Sequence, residues 1–373
     1  MDSESWGAFD ELLVALREVA GRFAGDEWGI TAPDDQAEAL RVLLHHVATG
    51  VDTQFEQDPA HPTFRPLVTP WRKTLGDNPD ARYHDAPIDP AGVYRIRGRT
   101  GGAVYVSFTV EAGAGDGGFS TGTVGTLNDD GFDVAADGSF ELWLGGPPRE
   151  RGWLPLDPTA SRVTVRHYWE DVVGPNRPPV ADLALKIELV EGKVDSQPAA
   201  PTDATVSEAL RRLARYVRSR TLEAMPPPGQ GEPATFVSRI PHEFPPPVPP
   251  GEHGLAAADA AYSMAPYLLG PDEALVVDAR WPTCRFANVV LWNRQLQTFD
   301  YLRAPVGLNR AQAVADADGR IQVVIAHEDP GVPNWLSTEG RPFGLVFWRF
   351  ILAEGPIDTP VARVVPFAEI TPP

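Results

Sequence analysis

Apolar positions near the start of the chain recur every three or four places. Over residues 4–24, Trp6, Phe9, Leu12, Leu13, Leu16, Val19 and Phe23 share one face, which predicts an amphipathic helix capped by Asp2 or Ser3. A second helix is expected over 34–57, followed by a proline-broken stretch with a turn at "GDNPDARY". From Val93 the period changes to two. "GVYRIRGR", "AVYVSFTVEA", "GSFELWLG", "SRVTVRHYW" and "ADLALKIELVE" read as short strands separated by Gly, Asp and Pro turns. The period returns to that of a helix in "TVSEALRRLARYVRSRTLEAM", where a Thr cap is followed three residues later by a Glu. It then reverts to two in "EALVVDARW", "RFANVVLWN", "RIQVVIAH", "GLVFWRFIL" and "ARVVPF".

This pattern predicts a mainly β protein with added helices, in four parts. Residues 1–80 form a helical N-terminal region and 81–195 a first antiparallel β-sandwich or jelly roll. Residues 196–255 are a Pro-rich linker carrying one helix, and 256–373 a second sandwich. The two β blocks look related. Asp137-Gly138 meets Asp318-Gly319 at an offset of 181, and Trp153-Leu154 meets Trp335-Leu336 at 182. "YVSFTV" matches "FANVVLW", and "PPVADLAL" matches "TPVARVV", which predicts an internal repeat. Shared features such as the Trp-Leu element should be scaffold, with both Trp153 and Trp335 largely buried.

Composition narrows the function. The 39 Pro and 34 Gly without a collagen period suit a turn-rich β protein, and ten Trp are ample for packed cores. A net charge of −19 with no basic cluster argues against nucleic acid and anionic membranes. The acidic start lacks a signal-peptide pattern, and no apolar run approaches the length of a membrane span, so a soluble, cytoplasmic protein is expected. The helices' apolar faces must pack on something: they should cover the sandwiches within one chain and can contribute to a homodimer. The single Cys284 excludes an intramolecular disulfide and sits in an apolar run as packing. Gly113 to Gly118 spell G-x-G-x-x-G, but no helix follows, so a turn is expected rather than a phosphate cradle. "HEFPP" and "HEDPG" lack the second His of a zinc-protease motif. His45 and His46 are adjacent on a helix and point apart.

The second block resembles a known family. "FANVVLWNRQLQTFDY", "LNR" and "DGRIQVVIAHEDPGVPNWLSTEGRPFGLVFWRF" carry Leu291, Asn293, Asp300, Tyr301, Asn309, Asp318, Gly319, His327, Asp329, Pro330, Gly331, Asn334, Trp335 and Leu336 in the order of the module called domain of unknown function 1214. The resemblance covers about a third of the chain. It implies a β-sandwich and brings no established activity or catalytic residues.

Candidate chemistry is sought where the two copies differ. His327, Glu328, Asp329 and Asn334 occur only in the second copy, on a turn at a strand end where sites are often built. His327 is a candidate acid–base group with Asp329 as its orienter; Asn293, Glu328, Asn334 and Arg349 are candidate substrate contacts, and Arg294, next to Asn293 after the apolar run, is a candidate polar group at a pocket mouth. Two functions remain open. One is a cofactor-independent hydrolase, lyase or isomerase acting on a small, largely apolar metabolite, with a metal at His327 as a variant. The other is a non-catalytic carbohydrate- or lipid-binding or interaction protein of tandem sandwiches.

Overall fold

The computed structural model describes residues 3–170, 182–192, 200–251 and 255–370. Helix α1 (Glu4–Phe23) is capped by Ser3, whose hydroxyl accepts from the Trp6 amide. Helix α2 (Pro33–Gly50) runs into a single π-turn over Val51–Phe55. The third helix, α3 (Asp203–Arg218), starts one turn before the expected cap: Thr202 and Thr205 bond each other reciprocally, so Thr205 stands inside the helix. Leu12, Val19, Phe23, Val42, Leu43, Leu213 and Val217 give these helices a core of their own. Trp6, Phe9, Leu13 and Val14 remain at the surface.

The first β unit contains β1 (Arg65–Pro66), β2 (Ala81–Pro87), β3 (Val93–Arg99), β4 (Tyr105–Ala112), β5 (Gly122–Asn128), β6 (Ser139–Leu144), β7 (Trp153–Leu154), β8 (Ala160–Tyr168) and β9 (Lys186–Glu191). The second contains β10 (Ala260–Leu268), β11 (Glu273–Arg280), β12 (Phe286–Trp292), β13 (Gly307–Asn309), β14 (Arg320–Ala326), β15 (Trp335–Ser337), β16 (Phe343–Ile351) and β17 (Val361–Pro366). One sheet of the first unit has the order β1-β2-β8-β4-β5 and the other β7-β6-β3-β9; in the second unit the orders are β10-β16-β12-β13 and β15-β14-β11-β17. Apart from the added β1, the orders correspond strand for strand. In both units the short Trp-Leu strand pairs parallel to its neighbour while the other ladders are antiparallel. Two strands absent from the sequence reading, β2 and β10, occupy equivalent places.

Each unit closes a core between its sheets: Ile96, Phe108, Leu142 and Val165 in the first, Leu275, Val289, Val323 and Trp348 in the second. Trp153 and Trp335 are largely but not fully buried, in equivalent places; the more deeply buried members of the pairs are Leu154 and Leu336. Each indole donates to a carbonyl where the preceding strand ends: Gly145 at 2.9 Å and Ala326 at 3.5 Å. Gly117 closes the G-x-G-x-x-G turn at φ +89°, and a Cβ there would lie 2.2 Å from the Arg212 carbonyl of α3. That close approach requires glycine. The linker residues 196–199 and the first residue of "ADLALKIELVE" lie outside the described residues.

Candidate functional site

Strand alternation gives β4 and β8 two faces. Val106, Phe108 and Val110, with Val163 and Val165, enter the first unit's core. The opposite face carries Tyr105, Ser107, Thr109 and Glu111 beside Arg162, Thr164, Arg166 and Tyr168. A face of this polarity normally meets water, yet all eight residues of β4 are buried. The second unit covers it with Tyr262, Met264, Phe286, Trp292 and Phe347, which join Tyr105 and Tyr168 in one apolar cluster between the units. The closure is incomplete. A cavity of about 580 Å³ remains between this face, β10 and β16 opposite, and a roof from the ends of α2 and α3 and from residues 224–239 and 255–257.

Most of the buried charges in and beside the cavity wall have partners, and two buried guanidiniums do not have a carboxylate. Arg162 donates from Nε to Asp85 at 2.7 Å, from Nη1 to Gln57 at 2.8 Å and from Nη2 to the Thr53 carbonyl at 2.9 Å. Arg166 binds Thr109 and the Leu255 carbonyl, with Glu111 at 4.0 Å. Buried Lys73 donates to the Thr298 and Phe299 carbonyls and is attracted to Asp77, whose carboxylate accepts from the Thr298 amide at 2.7 Å. Burial raises the Asp77 pKa against the pull of Lys73 and Thr298.

The exceptions are Arg220 and Arg349. Among the described residues neither has a carboxylate within 4 Å. Arg349 is 4% exposed, and its Nε and Nη1 have no hydrogen-bond partner. Its guanidinium lies 5.0 Å from the Phe347 ring centre, 5.7 Å from that of Tyr262 and 5.8 Å from that of Tyr168. Burial works against its charge, but the nearby hydroxyls of Tyr168, Tyr83 and Tyr262 outweigh it and hold the pKa above the ordinary arginine value. The Tyr262 hydroxyl accepts from the Ala257 amide at 3.0 Å, so its proton is free to be donated. Burial likewise raises the pKa of Tyr83 and Tyr262, keeping both protonated.

The pairing registers place a Tyr–Arg pair in each unit at this site. Tyr83 stands opposite Arg166 across β2 and β8, and Tyr262 stands opposite Arg349 across β10 and β16. Both Tyr–Arg pairs line the same cavity. Four residues along from their partners on the adjacent strands, the first unit has Glu111 and the second has Trp292. The acid that faces one arginine is thus an indole beside the other. Glu111 is 1% exposed; Oε2 accepts from Ser120 at 2.6 Å, while Oε1 has no hydrogen-bond partner. Burial raises its pKa even though Arg166 pulls the other way.

Of the residues proposed from the sequence, Arg349 and Arg294 line this cavity. His327 is held by two hydrogen bonds: Nε2 donates to the Gly270 carbonyl at 3.1 Å, and Nδ1 accepts from Thr338 Oγ1 at 2.6 Å. Asp329 caps the Gly331 amide in its own turn, and Glu328 is exposed. Asn334, at φ +59°, ties the turn to Val314 and Gln322. Asn293 is buried and accepts from the Gln295 and Gln297 amides. These groups satisfy local backbone, as Asn and Asp do in turns. Tyr83, Glu111, Arg166, Tyr168, Arg220 and Tyr262 were not singled out in the sequence. The signal available for some of them was the run of Ser, Thr, Glu, Arg and Tyr at alternate positions of β4 and β8.

Residues 275–353 match the model of the family described as "Protein of unknown function (DUF1214)", in agreement with the resemblance read from the sequence. The chain is similar over nearly its whole length to an uncharacterized protein from Burkholderia cenocepacia of known crystal structure. The two are 28% identical with a TM-score of 0.81, over 98% of this chain and 97% of that one. The VPA0106 protein from Vibrio parahaemolyticus is 12% identical with a TM-score of 0.49, over 87% and 98% of the two chains. No curated protein matches. Residues within the family match that reach the cavity include Trp292, Arg294, Phe347 and Arg349.

Proposed function

We propose that this chain binds a small organic anion, an apolar body bearing a carboxylate, in the cavity between its β units. Arg349 is the counter-ion, and the hydroxyls of Tyr83, Tyr168 and Tyr262 complete the ligand's hydrogen bonds. The observation that supports this reading is Arg349 itself: buried, on the cavity wall, with Nε and Nη1 unpartnered. An uncompensated buried charge costs several kcal/mol, and a carboxylate accepting from the guanidinium fork removes that cost. The cavity's size falls in the range of small-molecule sites, and its mixture of Trp, Phe, Met and Val with a few polar groups suits an apolar metabolite. In this reading the two β units are copies of one module, and binding arose where the copies differ, at Trp292 in place of Glu111.

A second reading makes the cavity catalytic. It is favoured by Glu111, whose free Oε1 and raised pKa suit a group that accepts and returns a proton. His327 has no part in either reading, because both its ring nitrogens are already bonded. The test of binding is calorimetric titration with octanoate and benzoate against octanamide and benzamide. The acids are expected to bind, the amides to bind far more weakly, and Arg349→Met to abolish the difference. Equal affinity for acid and amide would overturn the reading. Glu111→Gln separates the two readings: catalysis requires that it keep anion binding and stop turnover.

A further inference from the structure

We infer that the cavity ligand carries a second anionic group at the end away from Arg349, held by Arg220, so that the ligand class is a dicarboxylate with an apolar spacer. This rests on the reading of Arg349 as the first anion anchor. Of the four buried guanidiniums lining the cavity, Arg162 is neutralised by Asp85 and Arg166 by Glu111. Of these four, Arg220 and Arg349 have no carboxylate within 4 Å among the described residues.

Arg220 leaves the end of α3 in the π-turn Ser219–Glu223 and is 5% exposed. Its guanidinium lies 4.4 Å from the Phe119 ring centre and 4.8 Å from that of Tyr216, with a long 3.4 Å contact from Nη1 to Ser219 Oγ. Burial lowers its pKa; Asp85 is near enough to oppose this weakly, but its carboxylate is already taken by Arg162. A side-chain hydrogen bond with Tyr216 supports the Arg220 charge as well, but aromatic faces and hydroxyls compensate a buried charge poorly beside a carboxylate.

Arg220 and Arg349 sit toward different ends of one strand. Arg220 feels the charges of Arg162 and Asp85, at the start of β8. Arg349 lies over Tyr168, at its end. Arg162 and Tyr168 share the cavity face six residues apart, which is about 20 Å of extended backbone. A single carboxylate cannot serve both arginines; a ligand charged at both ends can. Met264, Phe236, Val237 and Leu255 line the cavity as well and offer the spacer an apolar path.

The test is calorimetric titration of the full chain with linear α,ω-dicarboxylates from adipate to tetradecanedioate, each against its own monomethyl ester. At one or two chain lengths the dicarboxylate is expected to bind about tenfold or more tightly than its ester, the value of a charge-assisted hydrogen bond. Arg220→Met should bring dicarboxylate and ester to equal affinity, while Arg349→Met weakens both. If no dicarboxylate exceeds its ester, or Arg220→Met leaves the preference intact, the second anchor is overturned. Ester binding that Arg349→Met abolishes would, in that case, leave the first anchor standing. If neither series binds, both readings fall. The wild-type comparison decides the matter even if Arg220→Met does not fold, and Arg220→Gln provides a second variant.

Discussion

Replacing Arg349 and Arg162 separately by Met, with no ligand present, distinguishes a charge waiting for a partner from a charge that holds the fold. Both side chains are 4% exposed and line the same cavity. Arg162 makes four hydrogen bonds, two of them to Asp85, itself 4% exposed. Arg162→Met strands that carboxylate, which should cost about 3–5 kcal/mol. Arg349→Met strands no carboxylate. It loses three ring contacts worth roughly 0.5–1 kcal/mol each. Against this, exchanging a buried charge for an apolar side chain is often neutral or stabilising by about 1–4 kcal/mol. The net expectation for Arg349→Met therefore runs from a loss of about 3 kcal/mol to a gain of about 2.5 kcal/mol, centred near no change. At the middle of both ranges the two variants differ by about 4 kcal/mol, or roughly 5 °C in melting temperature for a chain of this length. Scanning calorimetry under identical buffer conditions reads the gap. If Arg349→Met melts as low as Arg162→Met, Arg349 is a satisfied structural group and the argument for an anion loses its ground.

Two further outcomes probe the site and its frame. Burial raises the Glu111 pKa, so the folded chain keeps a proton that the unfolded chain has released, and wild-type stability should decline as pH rises from the ordinary glutamate range through the raised value. Glu111→Gln lacks that decline and should gain on the wild type in melts from about pH 4 to about pH 7; a difference that does not change with pH contradicts the raised value. Asp80 accepts from Asn288 at 2.8 Å and Asn309 at 3.1 Å, joining the segment before β2 to the second unit. Asp80→Ala leaves two fully buried amides short of an acceptor and should cost roughly 2–5 kcal/mol in urea unfolding, whereas a loss below about 1 kcal/mol would show that the latch is unimportant.

Much of the scaffold was legible because strand period and turn chemistry are local. The offsets of Asp-Gly and Trp-Leu anticipated two units whose sheets have corresponding strand orders. The strands that were missed failed for local reasons too. In β2, "ARYHDAP" alternates no apolar face and ends in Pro; in β10, "AAYSMAPYL" mixes small and apolar residues and contains Pro266. These are the strands that carry Tyr83 and Tyr262, so the tyrosine half of each Tyr–Arg pair was invisible. The comparison of copies singled out one loop in particular. It led to His327, whose turn differs from its counterpart and spends its polar groups on its own backbone, whereas the difference beside the cavity is Glu111 against Trp292.

Alternation in the sequence determined that β4 and β8 have one apolar and one polar face, and that Arg349 sits among aromatics in the corresponding strand of the second copy. Whether the polar face meets water or another sheet is not a property of either strand. It depends on a unit more than a hundred residues away arriving with Tyr262, Trp292 and Phe347 to cover it. The tertiary structure decided that Arg166 finds Glu111 and Arg349 finds no carboxylate, because ion pairing in a closed cavity is set by which side chains several strands bring within a few ångströms of one another.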